Sequence, residues 1–188
     1  LNLHVIMNSN KRSMYRIVSK EMLTPTICRM KVEASRLASA ALPGQFLIVR
    51  ADEQGERIPL TISDFDKDAG TVTIVTQKIG ASTSEICSYE EGDCFSDVVG
   101  PLGIPSDFTE MADEEVAGKR YVFIAGGVGT APVYPQVKWL HEKGASVDVI
   151  IGAKTKELVI YKDEMAAVCD NLYICTDDGS EGFKGLVT

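Results

Sequence analysis

The chain has 188 residues, 45% apolar and 24% charged, which excludes a disordered or collagen-like polypeptide and suits one ordinary domain or two small ones. Its formal charge is −8, and the first twenty residues hold four basic and no acidic side chains, so the remainder carries −12. That argues against nucleic acid as a partner, because a phosphate backbone rewards clustered positive charge. Anion sites made of backbone N–H groups stay open, since they need no net positive charge.

No run of eighteen apolar residues occurs, so no membrane span is expected. The opening LNLHVIMNSNKRS is not ordered like a secretory signal, its short apolar part preceding the basic residues. Five cysteines (28, 87, 94, 169 and 175) form no Cys-x-x-Cys pair, and their odd number points to a reducing, cytoplasmic setting.

Residues 1–13 read as a tail, either an expression or upstream remnant before Met14 or a displaced strand. From 14 to 108 the pattern is mostly strand. YRIVSKEM leads into TICRMKVEA, where Cys28, Met30 and Val32 alternate with Arg29, Lys31 and Glu33, the period of a strand with one dry face. PGQFLIVRA, GTVTIVTQKI and FSDVVG continue the series. Pro43-Gly44, Gly55, Asp68–Gly70 and Gly92-Asp93 supply turns, and SEICSYEEG is the one helix candidate. Short strands at this spacing read as an antiparallel barrel or sandwich.

Residues 109–118 form an acidic connector, after which the pattern changes. KRYVFIAGG is a buried-type strand, continuously apolar from Tyr121 to Ala125; PVYPQVKWLHEKG is a helix whose regular part is expected to start near Tyr134 because of Pro135. SVDVIIG, ELVIYKDEMAAVC and NLYICTDDG add strand, helix and strand. This alternation over 119–188 predicts an α/β parallel sheet with right-handed crossovers. With about seventy residues it falls short of a doubly wound nucleotide domain, and a truncated one is expected.

The run AGGVGTAP, 125–132, follows a strand and opens a helix, where glycine lets a phosphate approach main-chain N–H groups. Thr130 is a candidate helix cap, and Pro132 fits the first turn. The run matches neither the dinucleotide GxGxxG fingerprint nor a P-loop. CTDDGS, 175–180, lies at the carboxyl end of the third α/β strand, the edge where open parallel sheets bind ligands. In the first unit, RIPLTI (57–62) combines a guanidinium, a rigid turn and a hydroxyl, and KIGAST (78–83) sets glycine and two hydroxyls before a helix start. The two motifs lie before and after the same strand pair and predict a diphosphate cleft. His4 and His141 offer no triad, the cysteines lack iron–sulfur spacing, and no metal site is expected in this chain.

In this order, RIPLTI, KIGAST, VVGPLG, AGGVGTAP and TDDGS resemble the ferredoxin–NADP reductase superfamily of flavoproteins. The resemblance runs from about Tyr15 to Thr188 and is strongest to the small subunits of bacterial ferredoxin–NAD(P) reductases and of dihydroorotate dehydrogenase. It implies a Greek-key barrel for FAD over 14–108 and an NAD(H)- or NADP(H)-binding unit over 119–188. Arg57, Pro59, Leu60 and Thr61 would then correspond to the flavin segment, although Arg57 stands one place early relative to the superfamily pattern. Gly80, Ser82 and Thr83 would meet the flavin phosphates or ribose. Gly126, Gly127, Gly129, Thr130 and Pro132 would form the nicotinamide-cofactor turn, opposite Asp177, Asp178, Gly179 and Ser180.

The resemblance implies no catalytic side chain, hydride passing between two positioned rings. It also implies a larger oxidoreductase subunit and a ferredoxin-like carrier as partners. The [2Fe–2S] cluster of the relatives is expected only in a C-terminal region that these residues do not include. The alternatives are the dihydroorotate dehydrogenase electron-transfer role and a non-catalytic nucleotide-binding regulatory domain.

Overall fold

A computed structural model describes residues 15–187; the expectation for 1–13 lies outside them. The first half comprises β1 (Tyr15–Thr24), β2 (Ile27–Glu33), helix α1 (Ser35–Ala40), β3 (Phe46–Arg50), β4 (Arg57–Asp66), β5 (Thr71–Gln77), helix α2 (Ala81–Ile86), β6 (Cys94–Phe95) and β7 (Asp97–Leu102). All pairings are antiparallel, in the order β6-β1-β2-β5-β4-β3-β7. The jump from β2 to β5 is a Greek-key step. The edge strands β6 and β7 are separated only by Ser96, whose amide bonds the Arg50 and Ala51 carbonyls at 3.1 and 3.0 Å. The sheet therefore curls into a nearly closed barrel.

Alternation fills it. Cys28, Met30 and Val32 point inward with Leu47, Val49, Ile62, Val72, Ile74 and Phe95. The α1 segment has no sequence signal of its own: six residues, two of them buried, with Ala34 at the cap position and no side-chain cap bond.

The second half comprises helix α3 (Asp113–Ala117), β8 (Arg120–Gly126), helix α4 (Thr130–Glu142), β9 (Ser146–Ala153), helix α5 (Lys162–Ala166), β10 (Asn171–Thr176) and β11 (Phe183–Lys184). The four strands are parallel in the order β11-β10-β9-β8, as the strand–helix alternation predicts.

Three expectations are corrected here. Tyr121–Ala125 is not buried throughout. Tyr121 and Phe123 face the core, but Val122 and Ile124 are 58% and 52% exposed, because among the described residues α4 covers one face of β8 and nothing covers the other. Helix α4 starts at Thr130 rather than near Tyr134. The Gly127–Gly129 segment is a turn of 3-10 helix that winds directly into it, and Pro135 lies buried within it. The segment 157–169 yields only the five-residue α5. Before it, Val159 is extended and Tyr161 is left-handed at φ 60°, a conformation no helix carries through.

The two halves share a core. Ile27 and Val75, on the outer face of β2 and β5, are buried with Ala131, Val137, Leu140, Val149 and Ile151. The outer side of β2 is therefore dry at Ile27 and wet at Lys31. Burying one such isoleucine contributes about 1.5–3 kcal/mol.

Candidate functional site

On the barrel side, the site begins where two strands part. β4 pairs with β5 only from Ile62 to Asp66, whereas its first residues pair with β3 alone: Arg57 with Arg50, Ile58 with Val49, Pro59 with Ile48, Leu60 with Leu47 and Thr61 with Phe46. Pro59 lies in this stretch with one free edge, where a missing N–H breaks no ladder bond toward β5. Ile58 and Leu60 pack against the barrel core, while Arg57 and Pro59 are exposed on the other face and Thr61 is half-buried. Arg57 Nη1 bonds Asp97 Oδ2 at 2.9 Å, and its side chain remains 53% exposed.

Across the gap, β5 runs into the loop that opens α2. Thr83 Oγ1 accepts the amides of Ile79 and Gly80 at 3.1 and 3.0 Å, fixing the turn ahead of the helix. This is the reciprocal half of a capping box. The Ser82 hydroxyl donates to the Glu56 carboxylate, so the segments 57–61 and 80–83 are joined at their ends. Space is open where a Cβ of Gly80 would stand, and a ligand can come against the main chain there.

On the parallel side, β8 ends in Gly126 and Gly127. Gly127 has φ 52°, and nothing lies within 4 Å of a Cβ position at Gly127 or Gly129. The sequence reading of Thr130 as a helix cap is corrected. The cap position is Gly129, and Thr130 is the first helical residue, wholly buried, its Oγ1 without a partner among the described residues. Pro132 sits in the first turn, where no amide is needed.

The Asp177–Ser180 run divides into two roles. Asp177 lines the cavity described below, its amide bonded to the Ala153 carbonyl at 3.1 Å. Asp178, exposed, turns back on its own loop: its Oδ1 accepts from the Ser180 amide and hydroxyl at 2.9 and 2.6 Å. These bonds, the Ser180 hydroxyl first, hold the Asp178 carboxyl below its usual range. Ser180 Oγ in turn accepts the Lys156 amide at 2.8 Å, and Gly179 takes φ 77° to make the turn. The loops after β9 and β10 are thereby tied together.

A cavity of about 440 Å3 connects the halves. Thr26, Ile27 and Gln77 from the barrel face Gly126, Gly127, Lys154 and Asp177 from the parallel sheet. Gln77 is also the last residue of β5, directly before the 78–83 loop, whose own residues do not line this cavity. Among the described residues no three His, Cys, Asp or Glu side chains gather to hold a metal ion, and no helix is long and apolar enough to cross a membrane.

The chain is 32% identical to the electron transfer subunit of dihydroorotate dehydrogenase B (NAD(+)) from Geobacillus sp. (strain WCH70), over 95% of its own length and 68% of that protein. It belongs to the family of dihydroorotate dehydrogenase B electron-transfer subunits. An uncharacterised Clostridium beijerinckii protein is 55% identical over 92% of the chain and 58% of its own length. An electron-transfer-subunit homologue from Thermotoga maritima is 38% identical over the same shares. The chain thus spans somewhat more than half the length of these two relatives. No family model matches it.

Among solved structures, the NADH-dependent reduced ferredoxin–NADP oxidoreductase superposes with a TM-score of 0.82 at 35% identity, covering 95% of this chain and 62% of that one. Phthalate dioxygenase reductase shares the fold, with a TM-score of 0.67 at 20% identity over 87% of this chain and 52% of that one. The family stands within the ferredoxin–NADP reductase superfamily, as the ordered motifs imply.

The sequence does not single out Arg50. It stands directly across from Arg57 on β3 and shares its face, with Nε bonded to the Gly55 carbonyl at 3.1 Å. Only the strand register reveals that neighbourhood.

Proposed function

We propose that this chain is the flavin-carrying part of a small oxidoreductase subunit that moves electrons between NAD(P)H and an iron–sulfur carrier such as ferredoxin. The observation that carries the reading is the cavity in which Gln77, at the end of β5, faces the open Gly126–Gly127 turn. The residues fit FAD in kind: Arg57 offers donors beyond those held by Asp97, the Gly80 main chain is open, and the Ser82–Glu56 bond keeps both segments at one cleft. They fit a nicotinamide dinucleotide through the open glycine turn and the orphaned Thr130 hydroxyl.

When bound, FAD supplies the chemistry that joins a two-electron donor to one-electron carriers. The chain's own work is positional. The barrel fixes one ligand, the β8–α4 turn fixes the other, and the shared core around Ile27 and Val75 holds the halves at one distance. Asp177 and Lys154 stand on the parallel-sheet wall, where a carboxylate suits a ribose hydroxyl and an ammonium a phosphate; the names of the relatives favour NAD over NADP.

A larger catalytic subunit completes the assembly in the cytoplasm, and the names of the relatives favour a dihydroorotate-oxidising subunit as the second reading of that partner. Any [2Fe–2S] cluster belongs to residues beyond these. The test is anaerobic reduction of the full-length, FAD-loaded protein by NADH and by NADPH, followed by its absorption. Bleaching with NADH supports the proposal; a colourless protein that cannot be loaded with flavin returns the chain to a regulatory nucleotide-binding role. Adding ferredoxin or the dihydroorotate-oxidising subunit then separates the two partners.

A further inference from the structure

Two of the five cysteines face each other inside the barrel. Cys28, on β2, and Cys87, at the end of α2, are 1% and 2% exposed and 59 residues apart in sequence, and Cys28 Sγ donates to Cys87 Sγ at 2.8 Å. The arrangement contributes nothing to the cavity described above. The Cys87 thiol in turn donates to the Thr76 carbonyl oxygen at 3.5 Å, and the Thr76 hydroxyl is buried without a partner among the described residues.

Cys87, only 2% exposed, stands in the wall of a groove of about 670 Å3 lined also by Lys20, Lys78, Glu90 and Glu157, with Lys20 paired to Glu90. The two thiols differ in character. Donating to Cys87, together with burial, pushes Cys28 upward, so it keeps its proton. The hydrogen bond it accepts draws Cys87 down against the cost of burial, helped by Lys78 and Lys20. A sulfur in a groove wall, backed by a second, more deeply held sulfur in direct contact, is the layout of an attacking and a resolving cysteine.

We propose that Cys28 and Cys87 are a peroxide-responsive dithiol that closes to a disulfide and staples β2 to the end of α2. The Cys87 thiolate attacks one oxygen of hydrogen peroxide; the O–O bond breaks, and the leaving hydroxide takes a proton to become water. The resulting sulfenic acid is attacked by Cys28 sulfur, the S–S bond forms, and hydroxide departs with the Cys28 proton as a second water. Two thiols lose two electrons, and one peroxide gains them. Because α2 begins with the loop holding Gly80, Ser82 and Thr83, the staple fixes that loop and slows release of bound flavin. This last consequence rests on the function proposed above.

The experiment uses the full-length, flavin-loaded protein. It is treated with hydrogen peroxide, its remaining thiols are alkylated in denaturant, and the digest is weighed. The expected product is a Cys28–Cys87 linked peptide lighter by two hydrogens and restored by a dithiol reductant. In Cys28→Ser, a dimedone adduct accumulates on Cys87, whereas in Cys87→Ser none appears on Cys28. Both thiols still alkylating fully after peroxide, or Cys28 and Cys87 linked only to Cys94, Cys169 or Cys175, overturns the proposal. Should the variants not fold, the wild-type digest decides alone. A disulfide that leaves flavin release unchanged overturns the link to the loop. A protein that never binds flavin overturns the function proposed above while the digest still reads the disulfide.

Discussion

The guanidinium of Arg29, on the second barrel strand, lies 5.2 Å from the centre of the Tyr161 ring, at the entry to the last helix of the parallel unit. Its two terminal nitrogens bond Glu21 within the barrel and Glu164 on α5, so one side chain ties three elements together. Tyr161 is 4% exposed, and its ring also stacks obliquely on Tyr134, the centroids 5.2 Å apart. Its left-handed backbone, costly for a residue with a Cβ, is held by this packing.

Replacing Arg29 by Ala removes the cation–ring contact and both ion pairs and leaves Glu164 partly buried beside α5. The expected loss is about 2–4 kcal/mol of unfolding free energy, read from urea denaturation. Arg29→Lys recovers little of it, because an ammonium has no planar fork to reach two carboxylates. An unchanged urea midpoint in both variants would mean that the shared core alone joins the halves.

Much of this architecture is written in local pattern, and its misses have physical causes. The Cys28-Met30-Val32 alternation announces a barrel wall, but nothing nearby says that Ile27 on the opposite face is covered by another unit 100 residues on. Val122 and Ile124 read as interior because an apolar run looks the same whether one face of its strand is covered or both. The glycines of AGGVGTAP were legible as an open turn, whereas the winding of that turn into α4 depends on main-chain bonds that sequence does not encode singly. Asp177 and Asp178 look equivalent in sequence, yet a turn of one residue directs one to the cavity and the other to Ser180. Arg50 acquires its place only through pairing with Arg57.

Thr83 tests the barrel half of the site. Its hydroxyl is the acceptor for two amides ahead of α2, and Thr83→Ala leaves both without it. A lost cap of this kind costs about 0.5–2 kcal/mol. Because the disturbance is confined to the loop before a six-residue helix, flavin content should fall further than global stability. Thr83→Ser, which keeps the oxygen, restores the flavin. The ratio of flavin absorbance to protein after purification reads the effect.

Gly127 tests the other half, with Gly182 as a contrast. Alanine at 127 meets no neighbour but must adopt φ 52°, a strain of about 1–2 kcal/mol, and its methyl projects into space where a ligand can approach the main chain. The variant should fold and bind NADH at least about tenfold more weakly, the equivalent of 1.4 kcal/mol. At Gly182 a methyl would stand 2.0 Å from the Ile174 carbonyl oxygen, so Gly182→Ala should damage the fold itself. Equilibrium titration with NADH beside a thermal melt separates these outcomes, and normal NADH affinity in Gly127→Ala would remove that turn from the binding site.

Acid sensitivity should trace in part to Asp148. This carboxylate on β9 accepts from Asn171 Nδ2 on β10 at 2.7 Å and from Arg120 Nε and Nη2 on β8 at 3.1 and 2.5 Å, bridging three strands of the parallel sheet. The Asn171 bond, then the Arg120 bond, holds its carboxyl below the ordinary value. A carboxylate whose pKa falls on folding stabilises the protein above its unfolded-state pKa of about 3.9, and that contribution is lost as the pH drops through the folded value. Asp148→Asn should therefore lower stability at neutral pH and leave a shallower decline between about pH 5 and 2, because the group whose protonation drives it is gone. Urea midpoints measured across that range read the difference between the two curves. Parallel curves, displaced but equal in slope, would assign the acid transition to other carboxylates, Asp170 first, whose bonds to the Ser146 hydroxyl and the Val147 amide hold it low as well.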